Sequence, residues 1–281
     1  MAEIDKVRAL GFRDQAREKL PIFFGSRDNF LHPLRELIAN GTDEINSHFD
    51  SGTIKVVHEI KNNESMITIE DSGRGLPIGE IDENGKSYLE LLLLTLFAGG
   101  KYDNNAGQIG SNGVGLTVTN YTSKYFNVQS AYNGVLHEVT FTDGGNNQDY
   151  STKKISDKKH FTRVSYVLDR NVYTGNKFSD IDIENWIKWV SAVAPKIDFE
   201  FTNSLGETNN YHYKSLENYF DELVNSQSTS SMFKIEENDG KFVINTTENN
   251  QYEVIFTTQA QPVHRVFLNG NPLVEDSSID S

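Results

Sequence analysis

The chain has 281 residues, 37% hydrophobic, 11% aromatic and 23% charged, a composition that excludes a disordered chain and fits a folded globular protein. Its net charge of −14, from 26 Lys+Arg against 40 Asp+Glu, would repel the DNA backbone, so any nucleic acid is expected to be held elsewhere. Zero cysteines exclude disulfides, thiolate metal sites and cysteine nucleophiles, and no apolar run reaches the length of a membrane span.

The start "MAEIDKVRALGFRDQ" is too charged for a signal peptide, which points to the cytoplasm. In "DNFLHPLRELIANGTDEINSHFDSG", Leu34, Leu37, Ile38, Ile45 and Phe49 recur at helical spacing. Asp28 or Asn29 would cap that helix and Gly52 would end it. "TIKVVHEI" and "SMITIED" are β-rich runs joined by Asn62 and Asn63, a predicted hairpin ending at Asp71. "SYLELLLLTLFAGG" reads as an apolar helix stopped by Gly99 and Gly100, and "GLTVTNYTSKY" as a short helix starting near Val114. Strands are predicted in "YFNVQSAY" and "VLHEVTFTD", around an Asn133-Gly134 turn, and in "FTRVSYVLD". "GGNNQDYSTKKISDKKH" reads as exposed polar chain. "SDIDIENWIKWVSAVAP" reads as a capped helix and "KIDFEFTNS" as a closing strand. This order implies an α+β fold, a two-layer sandwich of a mixed sheet covered on one face by helices. After about residue 205 come a polar link, a helix and three more strands, in "KFVINTTENNQYEVIFTTQ" and "HRVFLNG". That change of texture divides the chain into residues 1–212 and 213–281.

The polar residues indicate where chemistry could sit. At 100° per residue, Glu36, Asn40 and Asp43 share one face of the first helix, opposite its apolar stripe. A plain solvated face is the simplest account of such a stripe. Asn40 argues against it, being a mediocre helix former in mid-helix one turn after a carboxylate. A carboxamide oxygen can complete a Mg²⁺ shell, and a carboxylate beside it can orient and deprotonate water. "IEDSGRGLP" delivers Asp71 at a strand end, where Gly73 and Gly75 let the chain turn sharply. An acceptor-only carboxylate there suits the exocyclic amine of adenine, although an ordinary turn has the same residues. "AGGKYDNNAGQIGSNGVGLTV" holds six glycines. Glycines before a helix leave N–H groups open to phosphate, and Lys101 adds a full charge, yet the stretch alone could equally be a linker. Neither a Walker-type phosphate loop nor a dinucleotide G-x-G-x-x-G in its required setting occurs. The Thr162 hydroxyl could bond the base or a water bridging to Asp71. The seven histidines lack metal-ligand spacing, and no Ser/His/Asp arrangement stands out.

Taken in order, "RELIANGTDE", "EDSGRGLP", "LFAGGKYD", "GSNGVGLTVTN" and "FTRVSYVLD" resemble the nucleotide-binding module shared by gyrase, Hsp90, histidine kinases and MutL. "LLLLTLFAGGKYD" followed by "NGVGLTVTN" is similar to the ATPase region of the type IIA DNA topoisomerases, and the resemblance runs from about residue 5 to the C-terminus. It implies a Bergerat ATP-binding fold over 1–212, the start of a transducer-like domain over 213–281, and ATP and Mg²⁺ as cofactors. Carried over by position, it implies Glu36 as the general base and Asn40 as the Mg²⁺ ligand, with Asp43 on the same nucleotide-facing side. It implies that Asp71 reads adenine with support from Thr162, and that Arg74, Gly75 and Pro77 line the adenine mouth, with Arg74 paired to Glu44. Lys101 and the backbone of Asn112, Gly113, Val114 and Gly115 would hold the phosphates. The implied partners are a second protomer on nucleotide binding, the remaining topoisomerase domains or subunit, and DNA through the full enzyme, with no membrane. A stand-alone nucleotide-binding regulator and a MutL- or Hsp90-like relative are the alternatives.

Departures from the family pattern carry their own expectations. "EKLPIFFGS" replaces the usual R-x-G-M-Y-I-G, so the entry to the first helix is expected to be built differently. "SNGVG" and "FTRV" look closer to phage and eukaryotic enzymes than to bacterial gyrase. The position where bacterial relatives carry an arginine that grips coumarin antibiotics falls near Ser130, so the resemblance does not imply drug sensitivity. "FLNGNPLVEDSSIDS" ends before the transducer's lysine-bearing loop would arrive, which implies slow hydrolysis. Residues 102–109 are expected to be disordered without nucleotide.

Overall fold

The structure is a computed structural model that describes residues 10–97, 114–216, 218, 219 and 222, and the strand segments 240–245, 251–256, 267–268 and 271–272. Two short helices, α1 (Phe12–Glu18) and α2 (Leu20–Phe24), lead into α3 (Leu31–His48). Pro21 sits in the first turn of α2, where its missing N–H breaks no helical bond, and Leu20 and Phe24 are buried. Arg17 and Arg27 fasten this entry. Arg17 donates to the Tyr121 carbonyl at 2.9 Å and to the Asp169 carboxylate at 2.6 Å, and Arg27 donates to the Val172 carbonyl at 2.5 Å.

Both ends of α3 differ from expectation. Phe30 holds the N-cap position without a side-chain bond, because Asn29 donates to the Phe24 carbonyl at 3.2 Å and Asp28 accepts from Thr174. Gly52 opens β1 (Gly52–Lys61) instead of ending the helix, and a side chain there would meet Ile45 and Ser72. β1 pairs antiparallel with β2 (Glu64–Asp71) across Asn62 and Asn63, both left-handed with φ of 52° and 65°. Asparagine tolerates that conformation, and it matches the twist of a two-residue hairpin.

The chain continues through α4 (Tyr88–Leu93), α5 (Gly115–Tyr121), β3 (Ser123–Tyr132), β4 (Val135–Thr142), β5 (Asn147–Lys154), β6 (Phe161–Leu168), α6 (Asp180–Val193), β7 (Ile197–Thr202) and β8 (Thr208–Tyr211). These strands form one eight-stranded sheet in the order β5-β4-β3-β6-β2-β1-β7-β8, in which β1 and β7 run parallel and the other neighbours antiparallel. Ile54, Val56, Ile67, Ile69, Phe126, Val128, Val164 and Tyr166 point to one side and join the helices in a single buried core. Alternate residues face the other way and pair with one another: Arg163 donates to Glu70 at 2.6 Å and to Gln129 at 3.0 Å, and Lys55 meets Glu200 at 3.5 Å. The architecture is therefore the expected mixed two-layer sandwich.

Three elements depart from the sequence reading. α4 stops at Leu93, because side chains of α5 take the carbonyls of its last turn: Thr117 bonds Leu92 at 3.1 Å, Asn120 bonds Leu93 at 3.0 Å and Tyr121 bonds Leu94 at 2.6 Å. Gly99 and Gly100 lie outside the described residues. α5 ends at Tyr121, and its expected continuation through Tyr125 is instead the start of β3. The polar run after β4 contains β5, an edge strand exposed at every position. Past residue 212, Tyr213 and Tyr219 pack against Ala192 of α6. β9 (Gly240–Asn245) pairs antiparallel with β10 (Gln251–Phe256), and β11 (Phe267–Leu268) with β12 (Asn271–Pro272). Among the described residues, no helix is long and apolar enough to cross a membrane.

Candidate functional site

α3 lies along the ends of two other elements and brings three sequence segments together. Near its start, Glu36 abuts α5: a Cβ on Gly115 would stand 2.7 Å from Glu36 Oε2. One turn earlier, His32 Nε2 faces Glu36 Oε1 at 3.4 Å, with its ring stacked on Phe24 at 4.5 Å. Sequence reading passed over His32, although its i, i+4 spacing from Glu36 was there to be seen. Asn40 is partly exposed and Asp43 is buried, so the face they share with Glu36 is not simply a solvated one.

Further along α3, Gly41 touches Asp71 at the end of β2, where a Cβ on the glycine would stand 2.9 Å from the Asp71 Cβ. The Asp71 carboxylate accepts from the Gly73 N–H at 2.9 Å and lies opposite Thr162 of β6 in register. Burial pushes the Asp71 carboxyl up to about 7; the Gly73 and Thr162 N–H groups oppose that rise, while the Glu44 and Glu70 charges add to it. Glu44, one turn after Asn40, is itself held below the usual carboxylate range. Burial pushes it up, but the hydrogen bonds and charge of Arg74 outweigh that. Arg74 grips it with Nε at 2.6 Å, Nη2 at 3.1 Å and its backbone N–H at 3.2 Å, the pairing expected from sequence.

The turn after Asp71 is closed by contacts from several strands. Gly75 adopts φ +83° and packs on the Ala131 carbonyl, where no Cβ would fit. His160 Nδ1 bonds the Gly73 carbonyl at 2.7 Å while its ring stacks on Phe49 at 5.4 Å. Pro77 follows in the same loop, with its carbonyl accepting from Glu80 N–H at 2.9 Å. Val114 and Gly115 form the described entry to α5; Lys101, Asn112 and Gly113 lie outside the described residues, as do residues 102–109. The contacts around α3 thus join Glu36 to Gly115, Gly41 to Asp71, Asp71 to Thr162 and Glu44 to Arg74, with Asn40 and Asp43 on the same helix and Gly75 and Pro77 in the loop after Asp71.

One arrangement escaped the sequence reading altogether. His58 Nδ1 faces Asp180 at 2.6 Å and His58 Nε2 faces Ser65 Oγ at 2.8 Å, a Ser-His-Asp chain that spans 122 residues. A carboxylate only accepts, so Nδ1 carries a ring proton towards Asp180, and Ser65 Oγ also accepts from the Phe178 N–H at 2.9 Å. Ser65 and His58 are each 1% exposed, so no substrate reaches them. The chain ties β1, β2 and the start of α6 together, and Ser204 closes it with a 2.5 Å bond to Asp180.

Residues 25–164 match the family described as Histidine kinase-, DNA gyrase B-, and HSP90-like ATPase. The chain is 27% identical over 230 residues to the B subunit of DNA topoisomerase 4 from Mycoplasma genitalium, covering 79% of this chain and 36% of that protein. It is 27% identical over 183 residues to the B subunit of DNA topoisomerase 4 from Staphylococcus aureus, covering 64% of this chain and 27% of that protein. The chain therefore spans well under half the length of these curated relatives. Among solved structures, the topoisomerase IV ATP-binding domain of Francisella tularensis, in complex with a small-molecule inhibitor, superposes with a TM-score of 0.63 at 20% identity, over 85% of this chain and 61% of that chain. At that identity the likeness establishes a shared fold.

Proposed function

Because the chain belongs to the histidine kinase-, DNA gyrase B- and HSP90-like ATPase family, we propose that it binds ATP with Mg²⁺ and hydrolyses it as the gate region of a type IIA DNA topoisomerase. The observation that carries this reading is the path of α3: Gly41 touches Asp71 and Glu36 touches Gly115, so one helix joins a base-reading carboxylate to a water-activating one. The step of five residues from Glu36 to Gly41 corresponds to about 7.5 Å of helix.

In this reading Asp71 accepts the exocyclic amine of adenine with Thr162 beside it, and Arg74, Gly75 and Pro77 line the mouth. Glu36 takes a proton from the water that attacks the terminal phosphorus, and ADP leaves as the phosphorus–oxygen bond breaks. His32 aligns the Glu36 carboxylate through Nε2. Asn40 would hold Mg²⁺ through its carboxamide oxygen, with Asp43 on the same side. Among the described residues, no group of three or more His, Cys, Asp or Glu could hold a metal. Mg²⁺ commonly takes one or two protein oxygens and fills its shell from phosphates and water. When bound, the ion offsets the charge that develops on the phosphoryl oxygens. Val114 and Gly115 would serve the phosphate end, and the family resemblance assigns Lys101, Asn112 and Gly113, outside the described residues, to the same role.

The proposal extends to the whole assembly: ATP-driven association of two protomers, coupling to DNA passage through the rest of the enzyme, a cytoplasmic setting, and residues 213–281 as the start of a transducer-like domain after an ATP-binding domain at 1–212. Phosphate release from ATP by the full chain, with and without Mg²⁺, tests the reading. Mg²⁺-dependent release together with saturable ATP binding is expected. Binding without release would leave a regulatory nucleotide module, and absence of binding would overturn the reading.

A further inference from the structure

On the helix-facing side of the sheet, one register row is polar across four neighbouring strands: Asp71 of β2 pairs with Thr162 of β6, Thr162 with Ser130 of β3, and Ser130 with His137 of β4. The next row inward on the same side is Ile69, Val164, Val128 and Val139, apolar throughout. Four polar side chains together on a core-facing side are costly unless each has a partner. Asp71 and Thr162 face the site already described, and Ser130 and His137 are buried beyond it.

Ser130 spends its hydroxyl on one residue of the loop that follows Asp71. Its Oγ accepts from the Leu76 N–H at 2.7 Å and donates to the Leu76 carbonyl at 2.9 Å. One side chain thus satisfies both polar backbone groups of Leu76, between Gly75 and Pro77. Gly75 closes on the carbonyl of Ala131, the residue after Ser130. At the other end of the loop, Gly79 lies on the His137 ring with no room for a Cβ, and Tyr150 O–H fixes that ring through Nδ1 at 2.7 Å. The loop over residues 75–79 is therefore seated on two adjacent side chains of the row that carries Asp71.

We propose that Ser130, backed by His137, is a positioning residue that sets the 75–79 loop against Asp71 and Thr162 and so fixes affinity for the base end of the nucleotide. The inference rests on the ATP-binding reading. Ser130 touches no reacting atom, so the rate of the chemical step is independent of it.

The test compares the full wild-type chain with Ser130→Ala and Ser130→Thr by titration with ATP, ADP and adenosine, together with steady-state KM, kcat and thermal melting. Removing two hydrogen bonds to one loop residue should raise KM about tenfold. kcat should be unchanged, the affinity loss should be equal for all three ligands, and Ser130→Thr, which keeps the hydroxyl, should restore affinity. If Ser130→Ala does not fold, Ser130→Cys, similar in shape but weak in hydrogen bonding, carries the same expectation. Unchanged KM in a folded variant, a loss confined to ATP, or a fall in kcat instead would overturn the proposal. Failure of the wild type to bind ATP would instead overturn the reading beneath it.

Discussion

Gly41 of α3 lies so close to Asp71 that a Cβ on it would stand 2.9 Å from the Asp71 Cβ and 3.3 Å from Ile54 Cδ1. Alanine ordinarily gains about 1 kcal/mol over glycine inside a helix. Here the atom in the way is attached directly to the β2 backbone and cannot swing aside. Gly41→Ala should therefore destabilise the fold by about 1–2 kcal/mol in urea unfolding and weaken nucleotide binding. A gain in stability would show that the β2 end gives way.

Asp71, with its carboxyl pushed up from 3.8 to about 7, makes both binding and stability depend on pH. Between those values the folded chain holds a proton that the unfolded chain has released, so stability falls as pH rises through the window and levels above about 7. In the proposed reading, in which Asp71 accepts from adenine, recognition runs the other way, since only the ionised carboxylate is a pure acceptor, so ATP affinity should rise as pH passes through about 7. Asp71→Asn should flatten both curves, exceed wild type in stability at pH 8 and bind ATP more weakly. Calorimetric titration and urea midpoints across pH 5 to 8 check this.

The Glu44 charge contributes to that elevated value. Glu44→Gln removes the charge and should move the midpoint of ATP affinity to lower pH. The Arg74 pairing is partly exposed and should contribute less than about 1 kcal/mol to stability by itself. An unmoved pH midpoint in Glu44→Gln would assign the shift to burial and the Glu70 charge.

The buried His58, Asp180 and Ser65 chain predicts a separation of stability from binding. His58→Leu leaves the Asp180 carboxylate and Ser65 hydroxyl short of a partner and should lower stability by about 2–4 kcal/mol. In the intact chain Asp180 is held below the usual carboxylate range: burial pushes it up, and the bonds from Ser204 and His58 more than offset this. Because the chain sits toward the β1–β2 turn and Asp71 at the other end of β2, ATP affinity of the folded variant should stay within twofold of wild type. A large loss of affinity would tie the two regions together.

Local signals carried most of the fold. The Asn62-Asn63 and Asn133-Gly134 turns, the apolar stripe of α3 and the Ser179 cap of α6, whose Oγ accepts from Asp182 N–H at 3.4 Å, are all short-range features. β5 was illegible because an edge strand exposed at every position has no buried face to impose alternation. The length of α4 depended on Thr117, Asn120 and Tyr121, which lie more than twenty residues downstream. At the site, Glu36, Asp71 and Arg74 were readable as motifs. The contacts made by Ser130, His137 and Ser65 come from strand register between distant segments, which no spacing along the chain reveals.

The claim at the centre of this account is that Glu36 activates water for ATP hydrolysis at a site anchored by Asp71. Parallel measurement of ATP turnover and ATP affinity in wild type and Glu36→Ala tests it most directly. The account predicts turnover reduced about 10²- to 10⁴-fold with affinity kept within severalfold. Turnover equal to wild type in Glu36→Ala would contradict it.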